Sequence, residues 1–138
     1  QEYAFERSTR SMSRRFRDTL SLLLVSHVAK KFAAGERPLS QHELSRTTHL
    51  PETLVTVLLD ELVGVGVLAV THNNSGTEML YIPAIDIHRL TVHMVVDRLD
   101  ARGTENFSPA WMLHNPEWKR LRQYRYYNTE DALIMDLA

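Results

Sequence analysis

Two short helical segments joined by a tight turn at 40–63, a β-branched hairpin directly after them and an amphipathic helix before them predict a mostly α fold with a small β-hairpin. This order is that of a winged helix-turn-helix with an added N-terminal helix and a helical C-terminal tail. The organisation that follows is a basic segment and long amphipathic helix at 1–37, the winged-helix domain at 38–103, and a helical tail at 104–138 that packs on it.

The first helix is expected at 12–34. Phe16, Leu20, Leu23, Leu24, Val28 and Phe32 recur at spacings of three and four, and Leu22, Val25 and Ala29 widen the stripe. Ser11 or Ser13 is placed to cap it and Gly35 to end it. Ser40 and Glu43 form a capping box for a helix at 40–50. Thr47 to Leu50 reads as the turn, and Pro51 suits the first position of a helix running to about Val63. The period then changes. Residues 67–71 and 79–82 read as strands around the turn signal Asn73-Asn74-Ser75-Gly76. Leu44, Leu54, Leu58, Leu62, Leu68 and Ile82 are expected in one core. Thr91 caps a further helix at 92–101. In the tail, Asn115-Pro116-Glu117 starts a helix through Tyr126, and Thr129 starts another carrying Leu133, Ile134 and Leu137.

The chain has 138 residues, 43% hydrophobic and 24% charged, the composition of one ordinary folded domain. It has no cysteine, which excludes disulfide scaffolds, thiolate metal sites and cysteine nucleophiles. No apolar run is long enough to span a bilayer and no signal peptide is visible. Because the chain starts at Gln1 and not Met, it is expected to be a piece of something longer.

The net charge of −1 hides an asymmetry. Residues 1–37 carry eight Lys/Arg against four Asp/Glu, 38–103 four against eight, and 104–138 four against five. The helix at 51–63 has no Lys or Arg; its polar residues are Glu52, Thr53, Thr56, Asp60 and Glu61. The wing at 72–78 has no Lys or Arg either, and Arg46 alone stands near the turn. Since affinity for DNA comes largely from cations neutralising phosphates, this argues against specific nucleic-acid binding.

Ser13-Arg14-Arg15-Phe16-Arg17-Asp18, residues 44–68, Pro83-Ala84-Ile85-Asp86-Ile87 with Thr91-Val92, and the run from Leu99-Asp100-Ala101-Arg102-Gly103 to Phe107 resemble the C-terminal region of the YihY/BrkB family of bacterial inner-membrane proteins, also labelled ribonuclease BN-like. The resemblance implies a membrane-embedded region upstream of Gln1 and a place for this chain, itself soluble, on the cytoplasmic face of the inner membrane. Arg7, Arg10, Arg14, Arg15 and Arg17 then become candidate contacts for an anionic lipid surface or a partner, where the alternative is a solvated arginine face. The expected function is a non-catalytic interaction or regulatory domain of such a protein. One alternative is a winged-helix DNA-binding transcription regulator with contacts from the arginine-rich N-terminus. A second, from the family's older label, is a tRNA-processing ribonuclease.

Catalytic chemistry finds no constellation. No two of the seven histidines are closer than five positions, so neither H-x-H-x-D-H nor H-x-x-x-H occurs. His88 and His93 with Asp86 or Asp97 are the one set that could converge. No glycine-rich phosphate loop or G-x-S-x-G elbow is present. The sequence therefore predicts no catalytic residue, no cofactor and no metal.

The breadth of the first helix's apolar stripe calls for two covering partners. The winged-helix core supplies one. A second copy of the chain is expected to supply the other, giving a homodimer with Leu22, Val25, Trp118, Arg122 and Tyr126 as candidate interface residues. The tail, through Trp111, Trp118 or Leu133, is the alternative cover.

Overall fold

A computed structural model describes residues 12–102, 114–117, 119–121 and 130–137. The long helix α1 spans Arg14–Ala33. Strand β1 is Leu39–Ser40, followed by α2 at Gln41–Thr48 and α3 at Glu52–Gly64. Strands β2 at Leu68–His72 and β3 at Met79–Pro83 form the hairpin, and α4 covers Val92–Asp100. A 3-10 turn at Ile134–Asp136 closes the described chain. This is the winged helix-turn-helix that the sequence predicts.

The local signals act as read. Ser13 Oγ accepts from the Phe16 N–H at 3.2 Å, Ser40 and Glu43 make both bonds of the capping box, and Thr91 Oγ1 accepts from the Met94 N–H. Asn115 Oδ1 accepts from the Glu117 N–H at 2.9 Å. Gly66 ends α3 at φ 77°, a left-handed conformation that costs a side chain about 1 kcal/mol or more. Pro51 sits one place earlier than expected, as the N-cap, with Glu52 first in α3.

Two elements differ from expectation. The hairpin is a three-stranded antiparallel sheet of order β1-β3-β2, because Leu39 and Ser40 pair with Tyr81 and Leu80. The segment expected as a helix from Thr129 is extended at Leu133, which bridges to Thr91, and only Ile134–Asp136 turns. Its backbone is drawn out by two bonds across the fold: the Val92 N–H donates to Ala132 O and the Ile134 N–H to Leu90 O, each at 2.9 Å.

The core lies between α1, α3 and α4. Leu24, Val25 and Val28 of α1 meet Leu54, Val55, Leu58, Leu59 and Leu62 of α3, joined by Leu44, Leu68, Tyr81, Leu90, Val95, Leu99 and Ile134, all at most 4% exposed. Five of the six expected core positions are buried. Ile82 is only half-buried, since it lies on the same sheet face as Leu80, opposite the face from which Tyr81 enters the core. Helix α1 packs on α2, α3, α4, β3 and the closing turn. Val25 is therefore consumed by the chain's own core, with no exposed area left to offer a second copy, and Leu22 is half-buried against the same core. Trp111, Trp118, Arg122, Tyr126 and the tail helix beyond Leu121 lie outside the described residues, as do Arg7 and Arg10.

Candidate nucleic-acid interface

The surface that a winged helix presents to a duplex is built here from α2, the turn, α3 and the wing. The turn is set by His49, whose φ of 59° is left-handed, and by the Leu50 N–H donating to Ser45 O at 3.2 Å. Thr48 Oγ1 donates to Leu44 O at 2.7 Å, and Ser45 Oγ to Leu50 O, so the turn's polar groups are satisfied within it. At the start of α3, a Glu52 carboxylate oxygen lies 2.8 Å from His42 Nδ1, an exposed pair joining the two helices.

The wing is held to α2 by one arginine. Arg37 donates to Glu43 at 2.8 Å and to Glu78, just before β3, at 2.6 Å. The Arg37 guanidinium keeps the Glu43 carboxyl below the usual carboxylate range. Within the wing, Asn73 Oδ1 accepts from the Thr77 and Glu78 N–H groups at 3.0 and 3.2 Å, which shapes the loop. Sequence reasoning missed Arg37 because its wing partner is 41 residues away, and no local signal marks such a pair.

The charge pattern read from the sequence holds in space. Glu52, Val57, Asp60 and Gly64 are the exposed residues of α3, with Thr53 and Thr56 half-buried. Arg46 and Thr47 are exposed on α2, and Arg46 has no ion-pair partner among the described residues. An open cleft of about 720 Å³ between α3 and α4 places Asp60 and Glu61 beside Arg98 and Arg102, so its charges cancel.

The N-terminal arginines divide. Arg14 donates to Asp100 Oδ1 at 2.8 Å and to Leu99 O, and Arg17 pairs with Glu61 of α3. Glu61 also takes Arg102 at 3.1 Å and so ties α1, α3 and the end of α4 together. Arg17 is thus tied to α3, while Arg14 keeps an exposed side chain beside its pair and Arg15 is exposed. The histidines suspected of convergence go separate ways. His88 Nδ1 lies 3.0 Å from Asp86, while the His93 N–H donates to Asp131 at 3.0 Å. Among the described residues no cluster of three or more His, Cys, Asp or Glu could hold a metal ion.

No family model matches the chain, and no curated protein does. Solved structures share its fold. CymR of Staphylococcus aureus is 14% identical with a TM-score of 0.57, over 87% of this chain and 93% of that one. CymR of Bacillus subtilis, described as the global cysteine regulator, is 20% identical with a TM-score of 0.54, over 83% and 85%. IscR of T. potens is 16% identical with a TM-score of 0.57, over 85% and 79%. No helix among the described residues is long and apolar enough to cross a membrane. The expectation of an inner-membrane protein's interaction domain is therefore corrected: among the structures sharing the fold over most of both chains, that of B. subtilis is described as a global regulator and one from Listeria innocua as a candidate transcriptional regulator.

Proposed function

We propose that the chain is a winged-helix transcription regulator that binds duplex DNA as a homodimer and carries no catalytic activity of its own. The observation that supports this reading most is the extent of the likeness to CymR, which runs over 87% of this chain and so takes in more than the helix-turn-helix and wing. A two-fold dimer suits a regulator, since it sets two recognition helices one helical turn of DNA apart.

The chemistry of the face limits how it binds. With no Lys or Arg in α3, phosphate contacts fall first to Arg46, exposed next to the turn. Thr53 and Thr56 can contact base edges or a thymine methyl group. Binding then has a shallow salt dependence, with a log–log slope of about −1 to −2 per protomer for one or two phosphate contacts.

Fluorescence anisotropy on DNA from upstream of the chain's own gene, titrated at several salt concentrations, tests this. Arg46→Ala is expected to weaken binding several-fold and reduce the slope by about 1. Absence of binding to any duplex at about 10⁻⁴ M, weaker than ordinary non-specific contact, refutes the proposal.

A further inference from the structure

Helix α1 buries Ser21, Leu24, Val25, Val28 and Ala29 on one side. On the opposite side Phe16, Leu20, Leu23 and His27 follow at spacings of four, three and four, forming a ridge about 16 Å long. Phe16 is 52% and Leu23 40% exposed, while Leu20 and His27 are half-buried. Burial, with Lys30 and Lys31 alongside, holds His27 below the ordinary histidine range, so its ring is neutral at pH 7 and continues the apolar ridge. Among the described residues, Phe16 and Leu23 stay exposed on this ridge, while Leu20 packs partly against the core.

The charges beside the ridge have one sign. Arg15 stands at one end and Lys30 and Lys31 at the other, with the neutral Thr19 and Ser26 between. Asp18 is the only acid within α1, and it lies among Arg14, Arg17, Glu61 and Asp100. Glu36, beyond the helix end, reaches Lys31 at 3.5 Å in an exposed pair of small worth.

We propose that this ridge is the docking surface for an acidic amphipathic helix of another protein, seated on Phe16, Leu20 and Leu23 with its carboxylates against Arg15, Lys30 and Lys31. The choice of occupant rests on charge. An antiparallel second copy centred on Leu23 sets Arg15 against Lys31, and a parallel copy sets each cation against itself, so self-pairing is repulsive in either direction. A membrane surface suits the ridge less well. Leu24, Val25 and Val28, at most 1% exposed, lock α1 in the core, and a ridge one side chain wide with flanking cations matches the seam between two helices.

The test uses the 138-residue chain and two labelled peptides of about 20 residues, long enough to form a helix, with identical leucine faces flanked by glutamate in one and lysine in the other. Anisotropy titrations are expected to show the glutamate peptide binding at least about tenfold more tightly than the lysine peptide. Leu23→Glu should weaken it by about tenfold while leaving the thermal transition in place, because Leu23 is outside the core. The double change Arg15→Glu with Lys30→Glu should reverse the preference. Equal binding of both peptides, or no effect of Leu23→Glu, overturns the proposal. So does a dimer that Leu23→Glu dissociates in sedimentation, which assigns the ridge to a second copy. Leu23-dependent co-sedimentation with phosphatidylglycerol–phosphatidylcholine vesicles likewise overturns it in favour of a membrane surface.

Discussion

Replacing Ile134 by alanine measures what the closing turn contributes. Ile134 is fully buried, 0% exposed, yet it sits in a three-residue turn tied to the rest of the fold by backbone bonds at Leu90 and Val92. The change deletes three buried carbons, worth about 0.8 kcal/mol each, and adds a cavity term that depends on how far the site collapses. A short turn can settle inward more readily than a helix, which places the cost near the lower part of the usual range, at about 3 kcal/mol. Against a total stability of about 5–15 kcal/mol this is a large fraction. For a chain of this size it corresponds to a fall in Tm of about 6–12 °C. Thermal unfolding followed by circular dichroism gives the answer, with Asp136→Ala, an exposed neighbour on the same turn, as a control expected within about 0.5 kcal/mol of wild type. A Tm for Ile134→Ala within a degree of wild type would mean that the turn does not cap the core, and the packing argument would fail.

Other outcomes follow from single contacts. Asp18 is pushed above the ordinary aspartate range by burial and then by Asp100, so its ionised form costs stability at neutral pH; Asp18→Asn should raise Tm at pH 7, and the difference should close below about pH 4, where the carboxyl is protonated in both folded and unfolded chains. A Tm difference independent of pH would disprove that cause. Ser40→Ala removes one bond of the capping box and should cost about 1 kcal/mol in urea unfolding, with an unchanged m-value. Gly66→Ala puts a Cβ 3.0 Å from Arg98 Nη1 at a left-handed φ; a loss of about 1 kcal/mol or more is expected, and a gain in stability would contradict the strain.

What the sequence determined on its own was everything whose partners lie within about one helical turn. The Ser13, Ser40 and Thr91 caps bond to residues three places on, Gly66 ends α3 where a left-handed residue is needed, and Asn73 shapes a loop of its own neighbours. The lack of cations on α3 was equally legible, being a matter of composition. The likeness to regulators was not, because at 14–20% identity it resides in the arrangement of elements and not in shared residues.

Only the tertiary structure decided the rest. Strand β1 is two residues long and exists because β3, some forty residues later, offers it an edge. The tail's last segment has the apolar spacing of a helix, but Leu90 and Val92 take its backbone groups, and non-local hydrogen bonds override local propensity. The ion pairs of Arg14 and Arg17 form only when α3 and α4 bring Glu61 and Asp100 to them, and Val25 reads as a dimer-interface candidate until five elements close around α1. For the strand, the tail segment and the two arginines the deciding partner is more than thirty residues distant, where no periodicity or cap in the local sequence can announce it.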